Sequence, residues 1–267
     1  MTGASEGFGR ELARLIAADG FDLLVVARNE SRLQDLAKEL ETEFAARVRI
    51  RSADLADANE QRALADELRE TPNLAIVVNN AAFSLVDEFQ ELPIEGVQRM
   101  VALNLGALAT LTHAALNNRA FRRGGILINV GSVGGSWPLP FDAIYSATKA
   151  AIDHFSAAIA YEIKKNPDID VHVQVAKLGT VLSGWADRSM GSLNPGEEAD
   201  KTIGWRSNEP ASAARAIWRK TKRRGKLIVT DHWFARLSAS FFGRFPSLGA
   251  ALVYGTTAQE LARRSRE

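Results

Sequence analysis

The chain of 267 residues has no cysteine, which excludes a disulfide framework, a thiolate zinc site and a cysteine nucleophile. That absence suits a reducing compartment, and a cytoplasmic location is the expectation it supports. An excess of charge of either sign is also missing: 33 Lys and Arg against 32 Asp and Glu leave no global field to draw the protein to nucleic acid or acidic lipid. Any partner must be recognised locally. No apolar run reaches the roughly 20 residues a bilayer span needs, and no signal-peptide pattern stands at the start. The histidines, His113, His154, His172 and His232, lack ligand-like spacing, so no metal site is expected. Repeats, low-complexity tracts and proline-rich linkers are absent too, so residues 1–267 read as one domain.

What is present is an alternation. Short β-branched runs such as "FDLLVVA" (21–27), "RVRIRSA" (47–53), "NLAIVVNN" (73–80), "GGILINVGS" (124–132) and "IDVHVQVAK" (169–177) are separated by helical patterns, and "GKLIVTD" closes the series. The strands are nearly continuous in apolar residues, as when helices cover both faces of a parallel sheet. The fold class expected is therefore α/β, a doubly wound parallel sheet. One long irregular stretch, 183–210, falls after the penultimate strand, where a substrate lid would lie. Residues 232–267 read as a C-terminal helical tail.

The opening "MTGASEGFGREL" places Gly3, Gly7 and Gly9 ahead of an apolar-striped helix. Such a loop lets backbone approach a pyrophosphate and presents helix N–H groups to it; a merely flexible N-terminal turn is the plainer reading. More informative is "NVGSVGGSWPLPFDAIYSATKAAIDHF" (129–155), in which Tyr145 and Lys149 lie four apart on one helix face. An ammonium beside a phenol lowers its pKa and readies it as a proton donor, while Ser132, on the loop after a strand, can hydrogen-bond the same substrate oxygen. Taken alone, such a pair reads as a packing aromatic and a solvated charge; the glycine loop and "NNAA" in the same chain reverse that reading.

Together, "TGASEGFG", "NNAA" (79–82) and this segment resemble the short-chain dehydrogenase/reductase family in its compact single-domain form, over essentially the whole chain. The resemblance implies a catalytic set of Asn104, Ser132, Tyr145 and Lys149. Tyr145 would be the acid/base, Ser132 would position the carbonyl or alcohol, Lys149 would also hold the nicotinamide ribose, and Asn104 would support a proton-relaying water. It implies a dinucleotide against Gly3, Ser5, Gly7, Phe8 and Gly9, with Asp54 and Leu55 beside the adenine and Asn80 near a ribose. "KLGTVLS" would set Gly179 and Val181 against the nicotinamide. Leu178 stands where the family usually has proline, Ser183 where it has threonine, and Ala82 where it has glycine.

The end of the second family strand carries Ala27 followed by Arg28, with Arg32 beyond. No carboxylate there repels a 2′-phosphate, and two guanidinium groups suit one, so NADP is expected rather than NAD; Glu6 in the glycine loop argues the other way. The partner expected is a small carbonyl or alcohol substrate, with neither nucleic acid nor a membrane span. A homodimer or homotetramer through helices rich in small residues is implied by the relatives. A non-catalytic dinucleotide-binding sensor is the competing class. The strand that precedes the glycine loop in the family is missing here, and the expectation is a sequence beginning late, with Met1 standing where a valine closes that strand.

Three further signals stay open. "RKTKRRGK" (219–226) reads as cations at a helix C-terminus rather than a nucleic-acid patch. The tail could cover the substrate cleft, pack between subunits or lie on a membrane surface. Trp137, Phe141, Trp185 and Trp205 could wall the substrate site or serve as core aromatics.

Overall fold

The structure, a computed structural model, describes residues 1–181 and 208–264. Among the described residues six strands form: β1 (Leu23–Ala27), β2 (Val48–Ser52), β3 (Ile76–Asn79), β4 (Arg123–Ser132), β5 (Asp170–Leu178) and β6 (Ile228–Thr230). Every pairing between them is parallel, β2 against β1 on one side and β3–β4–β5–β6 in order on the other. Between β1 and β3, Met1 and Thr2 take the place of a strand. Thr2 bridges Val26 and donates its N–H to the Val78 carbonyl at 3.0 Å, while Val26 N–H reaches the Met1 carbonyl at 2.9 Å. The Met1 amino group donates to the Leu24 carbonyl at 2.6 Å, and burial pushes its pKa down to about 5.

Helices cover both faces. In order they are α1 (Gly7–Ala18), α2 (Glu30–Phe44), α3 (Ala58–Glu70), α4 (Ile94–Val101), α5 (Leu108–Leu116), α6 (Ala143–Lys165), α7 (Pro210–Thr221), α8 (Trp233–Arg244) and α9 (Pro246–Arg264). Side chains alternate across a strand, so Val78 and Ile128 join Leu12 of α1, Leu33 of α2 and Ile217 of α7, whereas Val77 and Leu127 join Ala115 of α5 and Ile163 of α6. Fully burying one such aliphatic side chain stabilises the fold by about 1.5–3 kcal/mol. Local signals start the helices: Asn29 accepts the Arg32 N–H at 3.0 Å ahead of α2, and Asp57 accepts from Asn59 at 2.7 Å ahead of α3. The long helical pattern after Pro93 is interrupted. Residues Ala102–Ala107 form a π-helical turn between α4 and α5, a geometry frequent at functional positions.

This arrangement brings Arg28, Asp54, Asn80, Ser132 and Gly179 to the carboxyl ends of five successive strands. In an open α/β sheet that edge is where ligands bind.

Candidate active site

A cavity of about 940 Å³ opens along that edge. Its floor is the glycine loop. Gly3 and Gly7 have φ of 63° and 55°, which L side chains rarely adopt. A Cβ on Gly9 would lie 2.1 Å from the Gly3 carbonyl oxygen, and one on Gly3 would lie 2.6 Å from Asn80 Nδ2. The Asn80 amide holds the loop by donating to the carbonyls of Thr2 at 3.1 Å and Gly3 at 2.8 Å. Glu6 precedes α1 without capping it through its side chain, so the positive helix end faces the cavity beside Ser5, Gly7 and Phe8. A pyrophosphate fits this cradle, because only glycine leaves room for backbone to approach and the helix terminus supplies donors.

At one end of the cavity, beyond β1 and β2, Arg28, Arg32 and Asp54 line the wall together with Leu55. Arg32 is paired with Glu6, so one of the two guanidinium groups is partly neutralised. Arg28 is exposed; its carbonyl accepts the Ser52 hydroxyl at 3.1 Å, while its guanidinium forms no hydrogen bond or salt bridge among the described residues. Asp54 pairs with Arg99 at 2.5 Å. Behind this wall Asn79 donates to Asn129 Oδ1 at 2.9 Å and Asn129 in turn to Ser156 Oγ at 2.9 Å, a buried polar chain tying β3 and β4 to α6.

Ser132, Tyr145 and Lys149 meet in the same cavity. Ser132 ends β4, with its Oγ accepting the Gly134 N–H at 3.1 Å. One turn separates Tyr145 from Lys149 on α6, and the ammonium lies 5.5 Å from the phenol ring centre. Lys149 is buried and donates to the Val130 carbonyl at 2.9 Å. Burial pushes its pKa down to about 8, opposed by the carboxylate of Asp153. Asp153 itself pairs with Lys177 at 2.5 Å.

The expectation that Lys149 lowers the Tyr145 pKa is corrected here. Burial of the phenol pushes its pKa up, the charge of Asp142 adds to that, and a hydrogen bond from Ser132 opposes it. Lys149 directs its ammonium at a backbone carbonyl, and desolvation outweighs its attraction. Asn104 sits on the π-helical turn, buried, away from the main cavity wall. Its Oδ1 accepts the Phe83 N–H at 3.0 Å, and its Nδ2 donates to the Phe83 carbonyl at 2.9 Å. Asn104 and Lys149 share a second, small cavity of about 10 Å³, the size for about one water.

Gly179, Thr180 and Val181 complete the wall beyond β5. Gly179 N–H is held by Asp231 Oδ1 at 3.1 Å, and a Cβ on Gly179 would lie 2.7 Å from His232 Nε2. The sequence reading missed Asp231 and His232. It also missed Asp142, which lines the cavity, receives a hydrogen bond from Ser84 and has its pKa pushed up by burial to about 7. Its place three residues before Tyr145, at the N-cap of the same helix, was the available signal.

The far end of the cavity is apolar, lined by Val86, Leu139, Phe234, Phe242 and Val253. Trp137 joins this wall and packs on Phe242 with ring centres 5.1 Å apart. Phe141 instead stacks on Tyr254 at 5.3 Å and does not line the cavity. Trp185, Trp205 and nearly all of the expected lid, 183–210, lie outside the described residues. In the basic run, Lys222 pairs with Asp19 at 2.8 Å and Arg224 donates to the Gly124 carbonyl at 2.8 Å. Among the described residues no cluster of His, Asp and Glu is placed to hold a metal ion, and no helix is long and apolar enough to cross a membrane.

Comparison with known proteins gives a consistent picture. The family model described as short chain dehydrogenase matches residues 1–190. A very-long-chain 3-oxoacyl-CoA reductase of Pyricularia oryzae is 36% identical over 183 residues, 67% of this chain and 55% of its own length. Sulfoacetaldehyde reductase 2 of Chromohalobacter salexigens is 35% identical over 161 residues, 58% of this chain and 62% of that protein. The chain thus spans little more than half the length of several curated relatives it matches. Among solved structures, a short-chain dehydrogenase from Sphingobium yanoikuyae in complex with NADPH aligns with a TM-score of 0.77 at 29% identity, covering 93% of this chain and 94% of that one. A bulky-bulky ketone specific alcohol dehydrogenase from Comamonas testosteroni aligns at 0.74 and 25% identity, covering 93% and 92%. With a family model covering most of its length and its fold shared with these enzymes, the chain belongs to the short-chain dehydrogenase family.

Proposed function

We propose that this protein is an oxidoreductase that moves a hydride between NADP(H) and a carbonyl or secondary alcohol on an apolar substrate. The observation that carries the reading is the convergence of Ser132, Tyr145 and Lys149 in one cavity with the glycine loop. The dinucleotide, when bound, supplies or accepts the hydride. Gly3, Ser5, Gly7, Phe8 and Gly9 hold its phosphates, Asp54, Leu55 and Asn80 border its adenosine half, and Gly179 and Val181 border the other half.

In reduction the Tyr145 hydroxyl donates its proton to the substrate oxygen, and Ser132 donates a hydrogen bond to that same oxygen. Because burial and Asp142 push the phenol's pKa up, Tyr145 keeps its proton through neutral pH, the form that reduction consumes. Lys149 then favours the phenolate left behind, and the proton is restored from bulk solvent, for which a water in the small cavity lined by Lys149 and Asn104 is the proposed relay, taking one proton as it passes one on.

NADP is preferred over NAD in this reading, supported by Arg28 at the rim and by the absence of a carboxylate at the end of β1. The NADPH named with the Sphingobium yanoikuyae structure points the same way. Apolar substrates are supported by the far wall of the cavity and by the acyl-CoA reductases among the relatives. Assembly of two or four copies through α5 and α6 belongs to the same proposal and is checked by light scattering.

The test is a panel of apolar ketones and 3-oxoacyl thioesters with NADPH and NADH, followed by absorbance of the reduced cofactor. Consumption of NADPH that Tyr145→Phe abolishes is the expected result. Tight NADPH binding with no consumption across the panel would overturn it in favour of a dinucleotide-binding sensor.

A further inference from the structure

The tail has two faces, and the cavity accounts for one of them. On α8 and the start of α9, Ala235, Phe242 and Gly249 turn inward and line the cavity. The opposite side carries Leu237, Phe241, Phe245 and Leu248, exposed at 56%, 48%, 50% and 51%. Leu237 and Phe241 lie four apart on one face of α8, and Phe245 follows at its C-cap in ring contact with Phe241, which carries the apolar surface past the helix end. Exposed Arg236 and Arg244 border this surface, and neither forms a salt bridge among the described residues. From His232 to Gln259 there is no Asp or Glu.

We propose that this outer face seats the protein on an anionic membrane surface, with the apolar end of the cavity directly behind it. A helix in the interface plane buries an apolar stripe among acyl chains and keeps its cations at the headgroups, and this face has both parts. The charge pattern decides between occupants. A second copy docked through this same face would bring an identical stretch, which offers Arg236 and Arg244 no carboxylate to pair with. Anionic lipid supplies an apolar phase and the opposite charge together. In consequence, apolar substrate enters the cavity from the bilayer; this consequence rests on the oxidoreductase reading, whereas the docking does not.

The experiment is sedimentation of the full-length protein with vesicles of phosphatidylcholine alone and of phosphatidylcholine mixed with phosphatidylglycerol, at low and high salt. The expected result is binding to the mixed vesicles that weakens with salt. The double variant Leu237→Glu/Phe241→Glu should lower that binding by about tenfold or more while its circular dichroism and melting temperature stay at the parent's values. Arg236→Gln/Arg244→Gln should remove the preference for anionic over neutral vesicles. Equal binding by the parent to both vesicle types, or to neither, overturns the proposal. So does self-association in light scattering that the Glu variant abolishes in a protein that ignores vesicles. No turnover enters these measurements, so their failure leaves the assigned reaction untouched and an inactive protein leaves the docking result valid.

Discussion

The two ends of the cavity are built by different means. At the glycine-loop end, backbone defines the surface: Gly3 and Gly9 leave no room for a side chain, and the Asn80 amide fixes the loop through two carbonyls. At the far end, side chains from distant segments define it, with Trp137 and Leu139 meeting Phe234, Phe242 and Val253. Tyr145 and Asp142 stand between the two ends. The difference teaches that the end proposed for the dinucleotide rests on backbone geometry that no side chain can alter cheaply, while the end proposed for the substrate is a packed apolar wall open to change.

Tyr145→Phe, at the junction, should produce the largest effect. Loss of the proton donor is expected to lower kcat/KM by roughly 10²–10⁴-fold, with dinucleotide affinity retained, as fluorescence titration would check. A variant that reduces its substrate at the parent rate would break the comparison at its centre. Gly9→Ala comes next. The added Cβ meets the Gly3 carbonyl, so the loop must shift, and dinucleotide affinity should fall by about a hundredfold while the far wall is untouched. Calorimetry is the measurement, and unchanged affinity would show the cradle to be less rigid than described.

Arg28→Ala should weaken NADPH by about tenfold and leave NADH nearly unchanged, because one charge-assisted hydrogen bond to a phosphate is removed. Equal losses for both cofactors would place Arg28 elsewhere than beside a 2′-phosphate. The smallest effect on rate belongs to Asp142→Asn. The folded carboxyl titrates near 7, raised from 3.8 by burial, so below about pH 4 it imposes no penalty, and destabilisation grows as pH rises through that window. The variant should therefore gain stability over the parent between about pH 4 and 7, read as a widening difference in melting temperature. Removing that charge also lessens the upward push on Tyr145, so the alkaline limb of the oxidation profile should move to lower pH.

The fold was legible because its signals are local. Apolar runs at 73–80 and 124–132 became β3 and β4, since strands buried on both faces need no alternation. Tyr145 and Lys149 were legible for the same reason, as a helix fixes residues four apart on one face. The electrostatics were not. The phenol's pKa moves up rather than down, because desolvation depends on what packs around it, and that comes from segments remote in sequence. His232 was set aside as lacking ligand spacing, yet β6 and α8 deliver it to Gly179. The π-helical turn at Asn104 left no trace in a continuous helical pattern.

By itself, then, the sequence determined the alternation of strands and helices, the glycine cradle and the helical pairing of phenol with ammonium, all set by backbone sterics and fixed residue spacing. Only the tertiary structure decided which groups are desolvated together, that burial, with Asp142 adding to it, pushes the phenol's pKa up, and that one face of the tail lines the cavity while the other is left outside. Burial is a property of neighbours brought together by folding, and no spacing along the chain encodes it.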